Sequence, residues 1–344
     1  MKVSAIRGRP ARAARRRLSG GFGAFALLYH RVDEPASDPW GLCVTPSRFA
    51  AHLEVLHRHA TPVALVDLAR QATDGTLPLN VVAVTFDDGY ADNLHNARPL
   101  LERYGVPASV FLSTGYAGHG RTFWWDDLAE VLLGPEPLPE TLEIAIGDGS
   151  LRRELGEAAG PYAPYSAWKA SRSEPSPRQA VFLDIWRRLG TLPGEQRDQA
   201  LDQLAGWAGA GSRSTAVRAL TREEVQALVR DDLVEVGAHT VSHPALPELE
   251  LARQRDEIAT SKTEAEELVG RPVTSFSYPH GRLSPATVEV VREAGFATAC
   301  YQPAHAHDAD LRRRPPDPLR FPRVNVGDWT ASEFESRLLR GFED

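Results

Sequence analysis

Two periods of hydrophobic and polar positions alternate along the chain. Short, largely apolar runs with no polar face fall at 25–29, Val81–Phe86, Ala108–Leu112, 233–238, 273–278, 296–301 and 322–326. Runs of that kind predict strands covered on both faces. Between them lie stretches with apolar residues three or four apart. Thr45-Pro46 opens one in N-cap and N1 positions, and Phe49, Leu53 and Leu56 give it an apolar face. Further helices are predicted at 94–104, stopped by Gly105, and at Leu251–Val269, 285–294 and 332–339. Strand and helix in regular succession predict an α/β fold with a parallel sheet and helical crossovers, and sequential βα units suit a barrel.

The rhythm breaks between about 120 and 221. Helical patterns remain at 125–133, 178–189 and 196–207, joined by segments rich in Pro, Gly and Ser, among them the helix connection at 170–177. This stretch predicts a mostly helical insertion over the barrel mouth. The expected organisation is a basic, disordered tail at 1–22 and a body at 23–344 that carries the insertion. No internal repeat is visible.

Composition narrows the function classes. The 344 residues are 42% hydrophobic and 25% charged, ordinary for a globular protein. Asp33 is the first acidic residue, and Lys2, Arg7, Arg9, Arg12, Arg15, Arg16, Arg17 and Arg31 precede it. Removing those eight positive charges from the net −7 leaves the remainder at −15. An acidic body argues against electrostatic binding of nucleic acid. The basic segment could offer weak contact with a membrane surface. Gly20 to Leu28 is short, broken by glycine and without a clear cleavage site, so a secretion signal is not expected. No apolar run approaches transmembrane length. Cys43 and Cys300 form no CxxC pair and fit a reducing compartment, and the expected location is cytoplasmic.

The chemistry concentrates at two strand ends. Thr85-Phe86-Asp87-Asp88-Gly89 follows Val81-Val82-Ala83-Val84, and His239-Thr240-Val241-Ser242-His243 follows the run at 233–238. Each has a plain reading alone: a turn that caps a helix, and two unrelated histidines. Together they say more. In parallel α/β folds the carboxyl ends of the strands share one face, so both motifs point to one rim. One carboxylate and two imidazoles with open positions make a hydrolytic metal site, and the adjacent carboxylate stays free to accept a proton.

These two motifs resemble the first two of the NodB-type polysaccharide deacetylases, carbohydrate esterase family 4. The resemblance runs from about residue 25 to 334, with a poorly matched middle. It implies a distorted, incomplete (β/α) barrel and metal-dependent removal of acetyl groups from N-acetylated sugars. Asp88, His239 and His243 take the metal-ligand positions. Their mixed oxygen and nitrogen donors suit Zn²⁺, with Co²⁺, Ni²⁺ and Fe²⁺ also compatible. Asp87 takes the general-base position. Leu27-Leu28-Tyr29-His30 is similar to the poly-N-acetylglucosamine deacetylase branch, in which an N-terminal histidine, here His30, is the acid. Ser277-Tyr278-Pro279-His280-Gly281 matches the third motif imperfectly. Ser277 stands where an arginine usually holds the catalytic aspartate, and Arg323 is the expected replacement. The His280 backbone N–H is left to steady the oxyanion, with Tyr278 and Trp125 expected at the substrate. Without a secretion signal, a lipid-linked or nucleotide-linked glycan precursor, or a small amino-sugar metabolite, would fit. Deformylation, cyclic-amide hydrolysis and a non-catalytic glycan-binding role are the alternatives on the same fold.

Overall fold

Seven parallel strands close into a ring. The computed structural model describes residues 22–35, 37–160, 168–170, 176–209, 217–312 and 317–342; the basic segment 1–21 and the joint at 171–175 lie outside the described residues. In chain order the strands are β1 (Ala24–Tyr29), β2 (Arg31–Val32), β3 (Cys43–Val44), β4 (Thr61–Pro62), β5 (Val81–Phe86), β6 (Ala108–Leu112), β7 (Thr141–Ile146), β8 (Gly149–Glu154), β9 (Val234–Ala238), β10 (Ser275–Ser277), β11 (Thr298–Tyr301) and β12 (Phe321–Asn325). The ring runs β1-β12-β11-β10-β9-β6-β5 and closes where β5 pairs with β1, from Ala24 opposite Val81 to Tyr29 opposite Phe86. The barrel is incomplete in strand number and distorted at one seam, where β9 and β10 meet only through Ala238 and Phe276. β4 adds to the start of β5 at Val81 and Val82.

Burial explains the unbroken apolar runs. Every residue of β1, β5 and β6 is buried, because side chains on one face fill the ring and those on the other meet helices. The helix Pro46–His59 begins at Thr45, whose hydroxyl accepts from the Arg48 N–H. Its Phe49, Leu53, Val55 and Leu56 are fully buried. The expected single helix at 94–104 is a π-turn, Asn93–Ala97, followed by α-helix Arg98–Tyr104. Pro99 cannot donate the bond that a regular ladder would need there.

The insertion is less helical than expected. Helices Trp124–Leu133, Pro177–Leu189 and Gly194–Trp207 are present, but β7 and β8 form an antiparallel hairpin between them. Thr141–Ile146 alternates between exposed and buried positions, a strand period, and Gly147-Asp148 is a two-residue turn with Gly147 at φ 59°. No helix among the described residues is long and apolar enough to cross a membrane.

Candidate metal centre

The tips of β5 and β9 bring the two motifs together. Asp87 N–H bonds to the Tyr29 carbonyl at 3.0 Å, which continues the β1–β5 ladder by one step. The chain then turns sharply at Asp88, with φ 73°, and at Gly89, with φ 85°. A Cβ on Gly89 would lie 2.6 Å from Leu112, so the motif's glycine answers both backbone sign and close approach. His239 follows β9 directly, its N–H on the Leu112 carbonyl at 2.8 Å. Six non-glycine residues among those described have positive φ, and four of them are Asp88, Thr240, His243 and His280. Strain of about 1–3 kcal/mol per such residue is thus gathered at this rim.

Asp88, His239 and His243 are the three groups of a metal-binding cluster whose ligand atoms lie within 4.8 Å of one another. Asp88 Oδ1 is 3.6 Å from His239 Nε2 and 3.4 Å from His243 Nε2. His239 Nδ1–H donates to the Ser277 carbonyl at 2.7 Å, which leaves the Nε2 lone pair facing the cluster. Asp88 Oδ1 is buried and has no hydrogen-bond donor. Burial, and next the charge of Asp87, push its carboxyl well above the usual range. Burial lowers His239 to about 4 and holds His243 well below the imidazole range, so both rings are neutral donors. A buried, unpartnered carboxyl oxygen between two neutral imidazole rings fits a divalent cation.

Asp87 has the opposite environment. Burial works against its charge, but the Arg323 guanidinium outweighs burial and holds the carboxyl well below the usual carboxylate range. The pairing is bidentate: Nη1 to Oδ1 at 2.8 Å and Nη2 to Oδ2 at 2.7 Å. Ser277 completes it, donating to Asp87 Oδ2 at 3.1 Å and accepting from Arg323 Nη2 at 2.7 Å. Arg323 comes from β12 and crosses the barrel interior to the position left open by the small Ser277 side chain. Its own exposure is 1%.

A cavity of about 280 Å³ opens on this centre, lined in part by His30, Asp87, Asp88, Trp125, His243 and His280. Trp125 lies with its ring centre 5.0 Å from that of His243, its Nε1–H on the Tyr90 hydroxyl at 2.7 Å. His280 packs edge-on against His243 at 4.5 Å. The His30 main chain is clamped by the π-turn: Asn93 Nδ2 donates to the His30 carbonyl at 2.9 Å, and Asp92 accepts from the Val32 N–H at 2.9 Å. Tyr278 is a correction to the expected set. Its side chain is fully buried, and its hydroxyl donates to the Leu319 carbonyl at 2.9 Å, away from the cavity.

Glu257 escaped the sequence reading. From helix Leu251–Val269 its carboxylate accepts the N–H groups of Val241 and Ser242, each at 2.9 Å, and the Ser242 hydroxyl at 2.7 Å. It therefore braces the loop between the two histidines. A signal existed: Glu257 sits on the buried stripe of its helix with Gln254, Ile258, Ser261, Ala265 and Leu268.

Known proteins resemble this chain in sequence over part of its length and in fold. The profile of the family described as polysaccharide deacetylase matches residues 74–137 and 203–299, which include both motifs. The YxkH protein of Bacillus subtilis is 33% identical over 95 residues, 27% of this chain and 33% of that protein. The poly-β-1,6-N-acetyl-D-glucosamine N-deacetylase of Staphylococcus epidermidis is 32% identical over 108 residues, 28% of this chain and 37% of that protein. The matched region thus spans about a third of the length of these curated relatives. Among solved structures, IcaB from Ammonifex degensii superposes with TM-score 0.57 at 19% identity, covering 94% of this chain and 98% of that one. The Streptococcus pyogenes deacetylase PplD gives TM-score 0.55 at 16% identity, covering 94% and 100%. At those identities the likeness is one of fold.

Proposed function

Because this chain carries a polysaccharide deacetylase domain, we propose that it hydrolyses the N-acetyl amide of an amino sugar, releasing acetate and a free amine. One observation carries the reading: two adjacent buried carboxylates are treated oppositely. Asp87 is paired through both oxygens with Arg323, whereas Asp88 Oδ1 meets only imidazole nitrogens. Relatives named poly-β-1,6-N-acetyl-D-glucosamine N-deacetylases support a hexosamine glycan as substrate.

Asp88, His239 and His243 would hold the metal, with Zn²⁺ the ion that best suits one oxygen and two nitrogen donors. Bound there, it supplies Lewis acidity toward water and toward the amide oxygen. Asp87, kept ionised by Arg323, accepts a proton from the attacking water, help worth roughly 10²–10⁴-fold in rate. His30 lines the same cavity; burial lowers its imidazole below the ordinary value, the charge of Asp87 opposes that shift, and the ring is assigned to pass a proton to the amine nitrogen as the C–N bond breaks. The backbone N–H of His280 is the donor assigned to the amide oxygen as negative charge develops there. Two buried, unpaired cysteines, Cys43 and Cys300, support a cytoplasmic site of action, which fractionation of cells making the full chain would test.

The test is acetate release from β-1,6-linked N-acetylglucosamine oligomers by the purified chain, with and without chelator. We expect release that chelator abolishes, that Zn²⁺ restores and that Asp87→Asn lacks. Formate or a ring-opened acid as product would overturn the reading, as would silence toward every N-acetylated sugar from protein shown to be metal-loaded.

A further inference from the structure

The cavity has a wall that the reaction does not use. Trp40 and Trp186 line it from different parts of the chain, the loop before β3 and the insertion helix Pro177–Leu189. Their ring centres are 4.4 Å apart with planes at 39°, and both rings are only partly buried. Trp124, at 6.0 Å and 30° to Trp186, backs the pair from inside. The loop under Trp40 is tied to the insertion: Lys169 Nζ bonds to Asp38 Oδ2 at 2.9 Å, and the Ala170 N–H bonds to the Pro39 carbonyl at 2.6 Å. Trp40 also packs on Phe182, with ring centres 5.8 Å apart, so partly open indole surface at the mouth of the site is held by a packed aromatic cluster and a tied loop.

We propose that Trp40 and Trp186 form a stacking platform for an uncharged sugar ring beside the metal centre, and that this platform selects the substrate. The inference rests on the hydrolase reading for what happens to the ring, but its own evidence is separate. A pyranose presents C–H groups on its faces, and these pack on the electron-rich face of an indole. In the same cavity the exposed amide side chains of Gln302 and Asn325 suit sugar hydroxyls. Charge decides against an anionic substrate. Among the described lining residues Arg323 is the one Lys or Arg, and its terminal nitrogens are engaged by Asp87, Thr85 and Ser277. Among the described lining residues no other Lys or Arg is present to meet a phosphate or carboxylate in this cavity. A nucleotide-linked sugar, allowed by the sequence reading, is therefore disfavoured against a neutral glycan.

The experiment is calorimetric binding in the His30→Ala background, where turnover is suppressed while the Arg323–Asp87 pair stays intact. The probes are a β-1,6-linked N-acetylglucosamine trimer and uridine diphosphate N-acetylglucosamine. We expect Trp40→Ala and Trp186→Ala each to weaken trimer binding by about 2- to 13-fold, in proportion to the lost stacking. Trp186→Phe, which keeps a ring, should stay within about threefold. The nucleotide sugar should bind more weakly than the trimer. Unchanged trimer affinity in both alanine variants would overturn the platform, as would tighter binding of the nucleotide sugar. Thermal midpoint and metal content identify a misfolded variant, and Trp186→Phe then decides: loss of trimer binding from that folded protein counts against stacking. Acetate release by the parent with an unaltered KM in the alanine variants sinks the platform alone. Trimer binding to the platform without acetate release by the parent sinks the hydrolase reading alone.

Discussion

Asp87 and Asp88 differ by one position in sequence and by the whole of their surroundings. Asp87 receives a guanidinium on both oxygens, and Asp88 receives two neutral imidazoles. Breaking a buried pair by removing one partner typically costs about 3–5 kcal/mol, because the remaining charge is left uncompensated. Arg323→Ala should therefore lower kcat by about 10²-fold or more while leaving bound metal near the parent level, since Arg323 touches none of the three ligands. Steady-state kinetics beside metal analysis checks this, and activity within a few-fold of the parent would remove Arg323 from the catalytic set. Arg323→Lys should not rescue it, because an ammonium cannot bridge both oxygens. Glu257 acts one layer out, through the loop between His239 and His243. Glu257→Gln should weaken metal affinity by about 10- to 100-fold, read by competition with a chromogenic chelator. Equal affinity in variant and parent would mean that the loop holds its shape without this carboxylate.

Helix Pro46–His59 shows how an element is held against its neighbours. His52 is fully buried in its middle, donates from Nε2 to the Trp329 carbonyl at 2.8 Å and lies 4.3 Å from the Phe334 ring. The Tyr29 hydroxyl meets its other nitrogen at 3.3 Å. Burial lowers His52 from 6.5 to about 4, so the folded protein keeps it neutral. The unfolded chain binds its proton first as pH falls. Stability from this group is thus intact above pH 6.5 and is lost between 6.5 and about 4, by roughly 3 kcal/mol. Thermal midpoints across that window should fall more steeply for the parent than for His52→Gln, and parallel curves would contradict the assignment. The hairpin β7–β8 makes a different point. Thr141–Ile146 carries a period-two pattern, but Gly149–Glu154 buries only Leu151, so the partner strand shows no period of its own among the flanking helices.

For the molecule as a whole, the centre joins strand ends that are not adjacent. β5 carries the aspartates and β9 the histidines, with β6 between them in the ring. An ion bound there ties the ends of two strands across a third at the barrel's carboxyl rim, so binding should count toward folding. At a free ion concentration of about a hundred times the Kd, linkage supplies roughly 2.7 kcal/mol. Added Zn²⁺ should raise the thermal midpoint of chelator-treated protein by several degrees, and Asp88→Asn should abolish the rise. A rise of equal size in Asp88→Asn would place the ion somewhere else.

Much of this molecule follows from local rules. Seven apolar runs mark the ring strands because a strand covered on both faces has no polar side to show. Thr45-Pro46 starts a helix through its own hydroxyl and fixed φ. Asp87-Asp88-Gly89 and His239 to His243 announce their chemistry because the ligands are contiguous or one turn apart. What escapes local rules depends on which distant side chains meet. Ser277 and Arg323 are 46 positions apart, and they meet because β10 and β12 flank β11 in the ring. Glu257 reaches its loop through a helix packing angle, and Tyr278 turns to the core although its motif points to the rim. Trp40 and Trp186 become one surface because the insertion folds back over the barrel mouth. Contacts of that kind are settled by how elements pack, since side-chain reach is only a few ångströms and chain distance sets no limit on which groups come within it.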